Sequence, residues 1–564
     1  MKRFVLVLAG LAAVAALTAL VPAAAAQQPR GAPAVVKEGL RPNCSQDSAT
    51  CTEVVDPIGY EGTYTGHDEP SVLFYSKTPG SGNSNFYQLT LPKDAPVPPR
   101  QDQKGGTTNF QLHPAYWLGM ALCDSQSSPE YTDKCNPDSD GNIFNSPDPN
   151  SPRYIGKHPG TAFMEMQFYP PGWVQWPPGD SCDSTRWCAA LNIFSLSLDQ
   201  NTGATNNQGC LNLVGLEPGN FAFITRSGLA HAPANPVSAA TNPAVYTPDP
   251  KTDLFMNSGD RLLVGMYDTF EGFKIVINDL TTGQVGSMTA SVGNGFGQIK
   301  FDPNGNGCTV IPHDFHPMYS TSSPATRVVW AAHSYNVAFS DEIGHWEYCA
   351  SVDGGPGGTC ADNPNDPPEG DFGDDSYCFL PGQFPMGVPI GGCLGTDDDF
   401  DGVPYQRVWP GTFSSQSADA KLHPQPIEFT SPLFFNGGGL EDYSRIAFET
   451  DLPRIEFATD PPCNRNTGEN CVNPPVGANF YPYYTTATND QGTCVWHEGG
   501  GKIPGTTNTF GGSSQKEFGP LLYSLYPGPG FQPFYRYNNF RRIVSANPCN
   551  AQGAQSFTSV GGPR

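Results

Sequence analysis

Sixteen cysteines, all downstream of an apolar N-terminal leader, constrain this chain more than any other feature. The leader opens with Lys2 and Arg3, continues as the apolar stretch Phe4 to Val21, and ends in the small residues Ala24, Ala25 and Ala26. This is the layout of a secretory signal cleaved after Ala26. A membrane anchor is the rival reading, but the apolar stretch is short and gives way to Pro22 and a run of alanines. In an exported chain an even cysteine count predicts disulfides, here up to eight. Pairing neighbours in order gives Cys44–Cys51, Cys123–Cys135, Cys182–Cys188, Cys210–Cys308, Cys349–Cys360, Cys378–Cys393, Cys463–Cys471 and Cys494–Cys549. The pattern contains no CxxC pair, which sets aside a zinc site built on cysteines.

Beyond the leader, 28 basic residues face 54 acidic ones, a formal charge of −26. A field of that sign repels phosphate backbones and anionic headgroups, so neither nucleic acid nor a membrane surface is expected as a partner. Neutral or cationic partners and metal ions suit it better. Glycine (63) and proline (57) make up about a fifth of the chain, and charged residues only 15%. With 12% aromatics to build a core, that balance predicts a long-looped β protein and not a disordered one.

Strand-like segments recur along the chain: Val72 to Tyr75, Phe86 to Leu91, Asn109 to His113, Phe163 to Tyr169, Cys188 to Leu198 and Phe221 to Thr225. The clearest stretch is a meander. Arg261 to Asp268 turns at Thr269 to Gly272 into Phe273 to Asn278, which turns at Thr281 to Gly283 into Val285 to Ser291. Later candidates are Tyr335 to Phe339, His345 to Cys349, Tyr443 to Glu449 and Arg454 to Phe457. No window carries a long amphipathic helix. The fold class expected is all-β: a large, elaborated, jelly-roll-like β-sandwich with long disulfide-stapled loops. Residues 27–53 read as a polar arm and 54–564 as one unit, with 352–375 as a loop or linker rich in Gly, Pro, Asp and Asn.

Three loops place oxygen ligands at alternate positions and close them with glycine, the pattern of a calcium-binding turn. The strongest is Asp397, Asp399 and Asp401 before Gly402, where a structural calcium ion is expected. Asn136 to Gly141 and Asp302 to Gly307 repeat the spacing with weaker ligands. Pro404, and Val408 at the twelfth position, exclude a helix–loop–helix hand. Such clusters are also ordinary turn formers. His313-Asp314-Phe315-His316 offers two imidazoles and a carboxylate to a transition metal.

The strand Phe163 to Tyr169 carries the richest chemistry. Period two puts Met164, Met166 and Phe168 on one face, and Phe163, Glu165, Gln167 and Tyr169 on the other. Trp173 and Trp176 come shortly after it. Aromatic faces stack on sugar rings, amides read hydroxyls, and a carboxylate binds hydroxyls or acts on a glycosidic bond. This strand, with the hairpin Gly272 to Asn278, resembles the concanavalin A-like lectin/glucanase architecture over about residues 60–350. The resemblance implies a jelly-roll sandwich that binds carbohydrate on one sheet face. Glycosidases of that architecture place two glutamates on one strand, whereas Gln167 stands here where the next carboxylate would fall. A catalytic reading therefore pairs Glu165 with a carboxylate from elsewhere, first Glu347, then Glu342 or Asp268. Retention needs the two about 5–5.5 Å apart, inversion about 6.5–9.5 Å.

No GxSxG elbow, HExxH helix, P-loop or dinucleotide fingerprint occurs, which counts against the corresponding hydrolases and nucleotide enzymes. The function expected is a secreted carbohydrate-active protein that binds an extracellular polysaccharide. In the catalytic reading it cleaves that polymer as a glycoside hydrolase or, through a histidine–tyrosine pair, as a polysaccharide lyase. Gln167, Tyr169, Trp173 and Trp176 line its binding face. A lectin-like module and a structural or adhesive protein are the alternatives.

Overall fold

The computed structural model describes residues 71–92 (apart from 77 and 79), 109–127, 135–142, 159–171, 182–199, 204–318, 337–346, 393–394, 427–451 and 484–498. It also describes 524–525, 535–536, 539–544, 547–549 and the single positions 129, 150 and 152. Strands dominate them. In chain order they begin with β1 (Ser71–Tyr75), β2 (Ser84–Thr90), β3 (Asn109–Cys123), β4 (Thr161–Tyr169), β5 (Arg186–Phe194), β6 (Gly219–Phe223) and β7 (Met256–Asn257). The meander comes next as β8 (Arg261–Thr269), β9 (Gly272–Asp279) and β10 (Val285–Thr289). Then come β11 (Gly297–Ile299), β12 (Val310–Pro312), β13 (Val337–Trp346), β14 (Cys393–Leu394), β15 (Glu428–Thr430), β16 (Leu433–Asn436) and β17 (Gly439–Asp442). The last are β18 (Arg445–Asp451), β19 (Tyr484–Thr488), β20 (Cys494–Glu498), β21 (Ser524–Leu525), β22 (Tyr535–Arg536) and β23 (Asn539–Val544).

Most of these strands make two large antiparallel sheets, and β11–β12 and β21–β22 form two separate two-stranded ones. One runs β23-β18-β1-β13-β3-β4-β5-β6, with β14 beside β13 and β7 beside β5. The other runs β10-β9-β8-β2-β15-β20-β19, with β16 beside β2 and β17 beside β16. Alternation supplies each sheet with an apolar face. Leu118, Met120, Met164, Met166, Leu191 and Ile193 of the first sheet share one buried cluster with Tyr87, Val264, Met266, Ile275, Ile277 and Phe429 of the second. Burial of such side chains stabilises the fold by about 1.5–3 kcal/mol each, which makes the joint core the main force holding the sheets together.

The meander forms where turn chemistry predicts it. Gly272, at φ 123°, takes a conformation that strains other residues, and a Cβ there would lie 2.4 Å from the Ala290 carbonyl oxygen. Elsewhere the strands are longer than their sequence signals. β3 continues through Pro114 to Cys123. Pro114 has no N–H to give a ladder, and the β3–β13 register breaks there: Asp341 pairs with Tyr116, but Ile343 pairs with Gln111. β13 is one strand where two were expected. The Arg454–Phe457 candidate lies outside the described residues.

Two short helices, α1 (Gln208–Val214) and α2 (Pro236–Thr241), are capped by the Asn207 and Asn235 side chains. Among the described residues the disulfides are Cys123–Cys135, Cys182–Cys188, Cys210–Cys308 and Cys494–Cys549, in the expected pairing. Each of the other four expected pairs has at least one cysteine outside them. Two of the four staples close short loops, while Cys210–Cys308 and Cys494–Cys549 span 98 and 55 residues and join distant segments. Disulfides of this density belong to an oxidising compartment. Among the described residues no helix is long and apolar enough to cross a membrane.

Candidate functional site

β4 displays the two faces its sequence predicts. Met164, Met166 and Phe168 are fully buried in the shared core. Glu165, Gln167 and Tyr169 point the other way and form a hydrogen-bonded row. Gln167 Nε2 donates to Glu165 Oε2 at 2.6 Å, and the Tyr169 hydroxyl donates to Gln167 Oε1 at 2.5 Å. Asn192, which stands opposite Glu165 on β5, donates through Nδ2 to Gln167 Oε1 at 2.7 Å.

Burial grades along this row. Tyr169, Asn192 and Gln167 are 2%, 4% and 8% exposed, while Glu165 is half-buried and reaches solvent. Burial, with Glu165 nearby, pushes the Tyr169 hydroxyl far above its ordinary range, so it stays a neutral donor. Beyond Tyr169 the row ends in an aromatic cluster, where Phe221 packs between Phe223 and Tyr246 at centroid distances of 5.1 and 4.5 Å. On the other flank β3 supplies Trp117, edge-on to Phe163 at 5.4 Å. Its indole lies over Gly119, the residue paired with Glu165: a Cβ at 119 would sit 2.4 Å from Trp117 Cζ3.

A chain of this kind fixes one carboxylate. The amide of Gln167 is held at its oxygen by two donors, so its N–H can point only toward Glu165. The arrangement offers a half-exposed acceptor on a rigid, buried polar floor. Hydroxyl-rich or cationic groups are the chemistry it can receive.

Of the other expected site residues, Trp173, Trp176, Glu347 and the calcium loop Asp397, Asp399 and Asp401 lie outside the described residues. Glu342 lies on β13, where the backbone alone is described. Asp268 is engaged elsewhere by a histidine. It stands on β8 in the second sheet, its side chain 1% exposed, and binds His316 Nδ1 at 2.7 Å. Burial raises the Asp268 pKa and the His316 contact opposes that shift. The two imidazoles of the 313–316 turn bind different partners. His313 contacts the Cys123 carbonyl oxygen at 3.3 Å, and burial lowers its pKa to about 4.

The two weaker calcium-like loops are closed by the protein itself. Asn207 donates to the Asp302 and Gly307 carbonyls at 2.9 and 3.1 Å. Asn142 donates to the Asn136 carbonyl at 2.8 Å, and Asp138 accepts from Asn83 at 3.0 Å. Among the described residues no group of three or more His, Cys, Asp or Glu side chains is arranged to hold a metal ion.

Sequence reading missed Asn192, Trp117 and Gly119. Asn192 had a signal, a lone amide inside the apolar run Trp187 to Phe194. Trp117 and Gly119 were hidden because Pro114 marks an end to the strand that the structure does not have. Compared with known protein families, with curated proteins and with solved structures, the chain matches none.

Proposed function

We propose that this is a secreted, carbohydrate-binding protein of jelly-roll-like build that docks an extracellular polysaccharide on the outer face of β3–β5. The observation that carries the reading is the Tyr169–Gln167–Glu165 row: a polar chain, hydrogen-bonded along its length, that delivers one carboxylate to the surface of the sheet. Glu165 accepts sugar hydroxyls, and Trp173 and Trp176, eight and eleven residues further along the chain, supply the stacking surfaces. Gln167 stands where glycosidases of the concanavalin A-like architecture carry their second glutamate, so binding without cleavage is the favoured activity. A structural calcium ion at Asp397, Asp399 and Asp401 fits the same extracellular setting.

The test is retention of the full chain on a panel of insoluble and soluble polysaccharides, with product release monitored in parallel. Binding to at least one glycan, lost in Glu165→Gln without unfolding and without released sugar, is expected. No retention on any member of the panel would sink the reading and favour a structural protein. Released oligosaccharide that disappears in Glu165→Gln would convert the binder into an enzyme.

A further inference from the structure

Where the chain leaves β3, side chains from two distant segments meet in one hydrogen-bonded line. Ser125 Oγ donates to Gln298 Oε1 at 2.7 Å, and Gln298 Nε2 donates to Asp124 Oδ1 at 2.8 Å. A carboxylate accepts and does not donate, so it fixes the amide with its nitrogen toward Asp124 and its carbonyl toward Ser125. Gln126 Nε2 donates to Ser125 Oγ at 3.2 Å, which turns the serine's own proton toward Gln298. Asp124 is 0% and Gln298, on β11, 1% exposed, while Ser125 is partly buried and reaches solvent.

These are the parts of an acyl transfer: a hydroxyl nucleophile, an amide carbon and an acid at the leaving nitrogen. A C=O bond is about 1.2 Å long, so Ser125 Oγ stands no more than about 4 Å from Gln298 Cδ. Rotation about the serine Cα–Cβ bond closes that gap to attacking distance, about 3–3.5 Å. Burial pushes the Asp124 pKa up to about 6, against the donors of Gln126, Ser127 and Ser195. That suits a group that gives up and regains a proton near neutral pH. A free amide resists a hydroxyl, but groups held in place react with effective molarities of about 10⁵–10⁸ M.

We propose that Ser125 and Gln298 condense into an intramolecular ester, a covalent cross-link between the end of β3 and β11. Ser125 Oγ attacks Gln298 Cδ while its proton passes to Oε1, to which it is already hydrogen-bonded. Once the centre is tetrahedral its nitrogen becomes basic and takes a proton from Asp124. The Cδ–N bond breaks, ammonia leaves, and the proton on Oε1 is released as the ester carbonyl forms, restoring the acid. One Oγ–Cδ bond replaces one Cδ–N bond, with no oxidant, reductant or water consumed. The link joins residues 173 positions apart. Unlike the Cys123–Cys135 disulfide beside it, it withstands reductants.

The experiment is peptide mapping of the full chain by mass spectrometry after reduction and alkylation. A linked pair is expected, in which the Ser125 and Gln298 peptides together weigh one ammonia less than the two apart. Mild alkali is expected to split the pair into an unchanged Ser125 peptide and a partner bearing glutamate where Gln298 stood. Ser125→Ala is expected to abolish the pair. Asp124→Asn, which removes the acid at the leaving nitrogen, is expected to cut the linked fraction of freshly purified protein at least tenfold. If Asp124→Asn does not fold, Ser125→Ala carries the test. Unlinked Ser125 and Gln298 peptides in full yield from the wild type would overturn the proposal. So would a linked pair that persists in Ser125→Ala.

Discussion

The Glu165 row and the Asp124 carboxylate lie on neighbouring strands of one sheet and end differently. In the row every buried group meets a partner inside the protein, and the chain of bonds runs outward to a carboxylate that touches solvent. At Asp124 the carboxylate is the deepest element: it is 0% exposed, and its Oδ1 accepts from the Gln126 N–H and from Gln298 Nε2. The difference teaches that a polar network can serve either to present one carboxylate at the surface or to hold one inside the fold.

The sharpest way to break the comparison is to unfinish the row. Gln167→Leu removes the acceptor that Tyr169 and Asn192 share, leaves Asn192 its longer bond to the Tyr169 hydroxyl at 3.3 Å, and breaks a buried network at about 1–3 kcal/mol per lost bond. A loss of about 3 kcal/mol in chemical denaturation is expected, and an unchanged midpoint would show that the row is not a closed network.

The next largest effect is set by pH. His313 has a folded pKa of about 4, lowered by burial from the ordinary 6.5. Its contribution is present above pH 6.5 and lost as pH falls from 6.5 through about 4, because the unfolded chain takes the proton first. The loss reaches about 3 kcal/mol at 1.36 kcal/mol per unit. Stability curves at pH 7 and pH 4.5 measure it, and His313→Asn is expected to flatten the difference. His231 has the opposite sign. Its bond to Asp253 raises its pKa, so that contribution is complete below pH 6.5 and fades as pH rises through the folded value.

Crowding the flank of the row comes next. Gly119→Ala places a Cβ against the Trp117 indole and the Phe163 ring, 2.4 and 3.0 Å from their nearest atoms. Displacing a packed indole costs about 1–3 kcal/mol, and a reduced melting temperature with weakened glycan retention is expected. The smallest effect on stability is that of Glu165→Gln. The half-exposed carboxylate is exchanged for an isosteric amide, and the melting temperature is expected to stay within the range of surface substitutions, about 0.5 kcal/mol.

Much of the scaffold was legible from residues alone. The β8–β10 meander is dictated by alternation and by Gly272 and Gly283, and the two faces of β4 by period two. Four neighbour pairings of cysteines were legible because each fold segment between them is short or returns on itself. Other features were not, for physical reasons. Pro114 reads as a strand end, but a register break in β13 absorbs its missing N–H, so β3 runs on to Cys123. The acidic loops at 136–141 and 302–307 carry ligand spacing that nothing local distinguishes from turn chemistry. Their closure depends on Asn142, Asn83 and Asn207, two of them distant in sequence. The Asp124 cluster has no sequence signature, because its members come from the end of β3 and from β11. Asp268, plausible as a partner for Glu165, belongs to the other sheet, and only topology could show that.

The central claim is that Glu165 is the surface terminus of a binding floor. Titration of the full chain with soluble polysaccharides by calorimetry, wild type beside Glu165→Gln, tests it most directly. The account predicts saturable binding of at least one glycan by the wild type and at least tenfold weaker binding by the variant, at unchanged melting temperature. Binding that is equal in the two proteins, or absent from both, would contradict it.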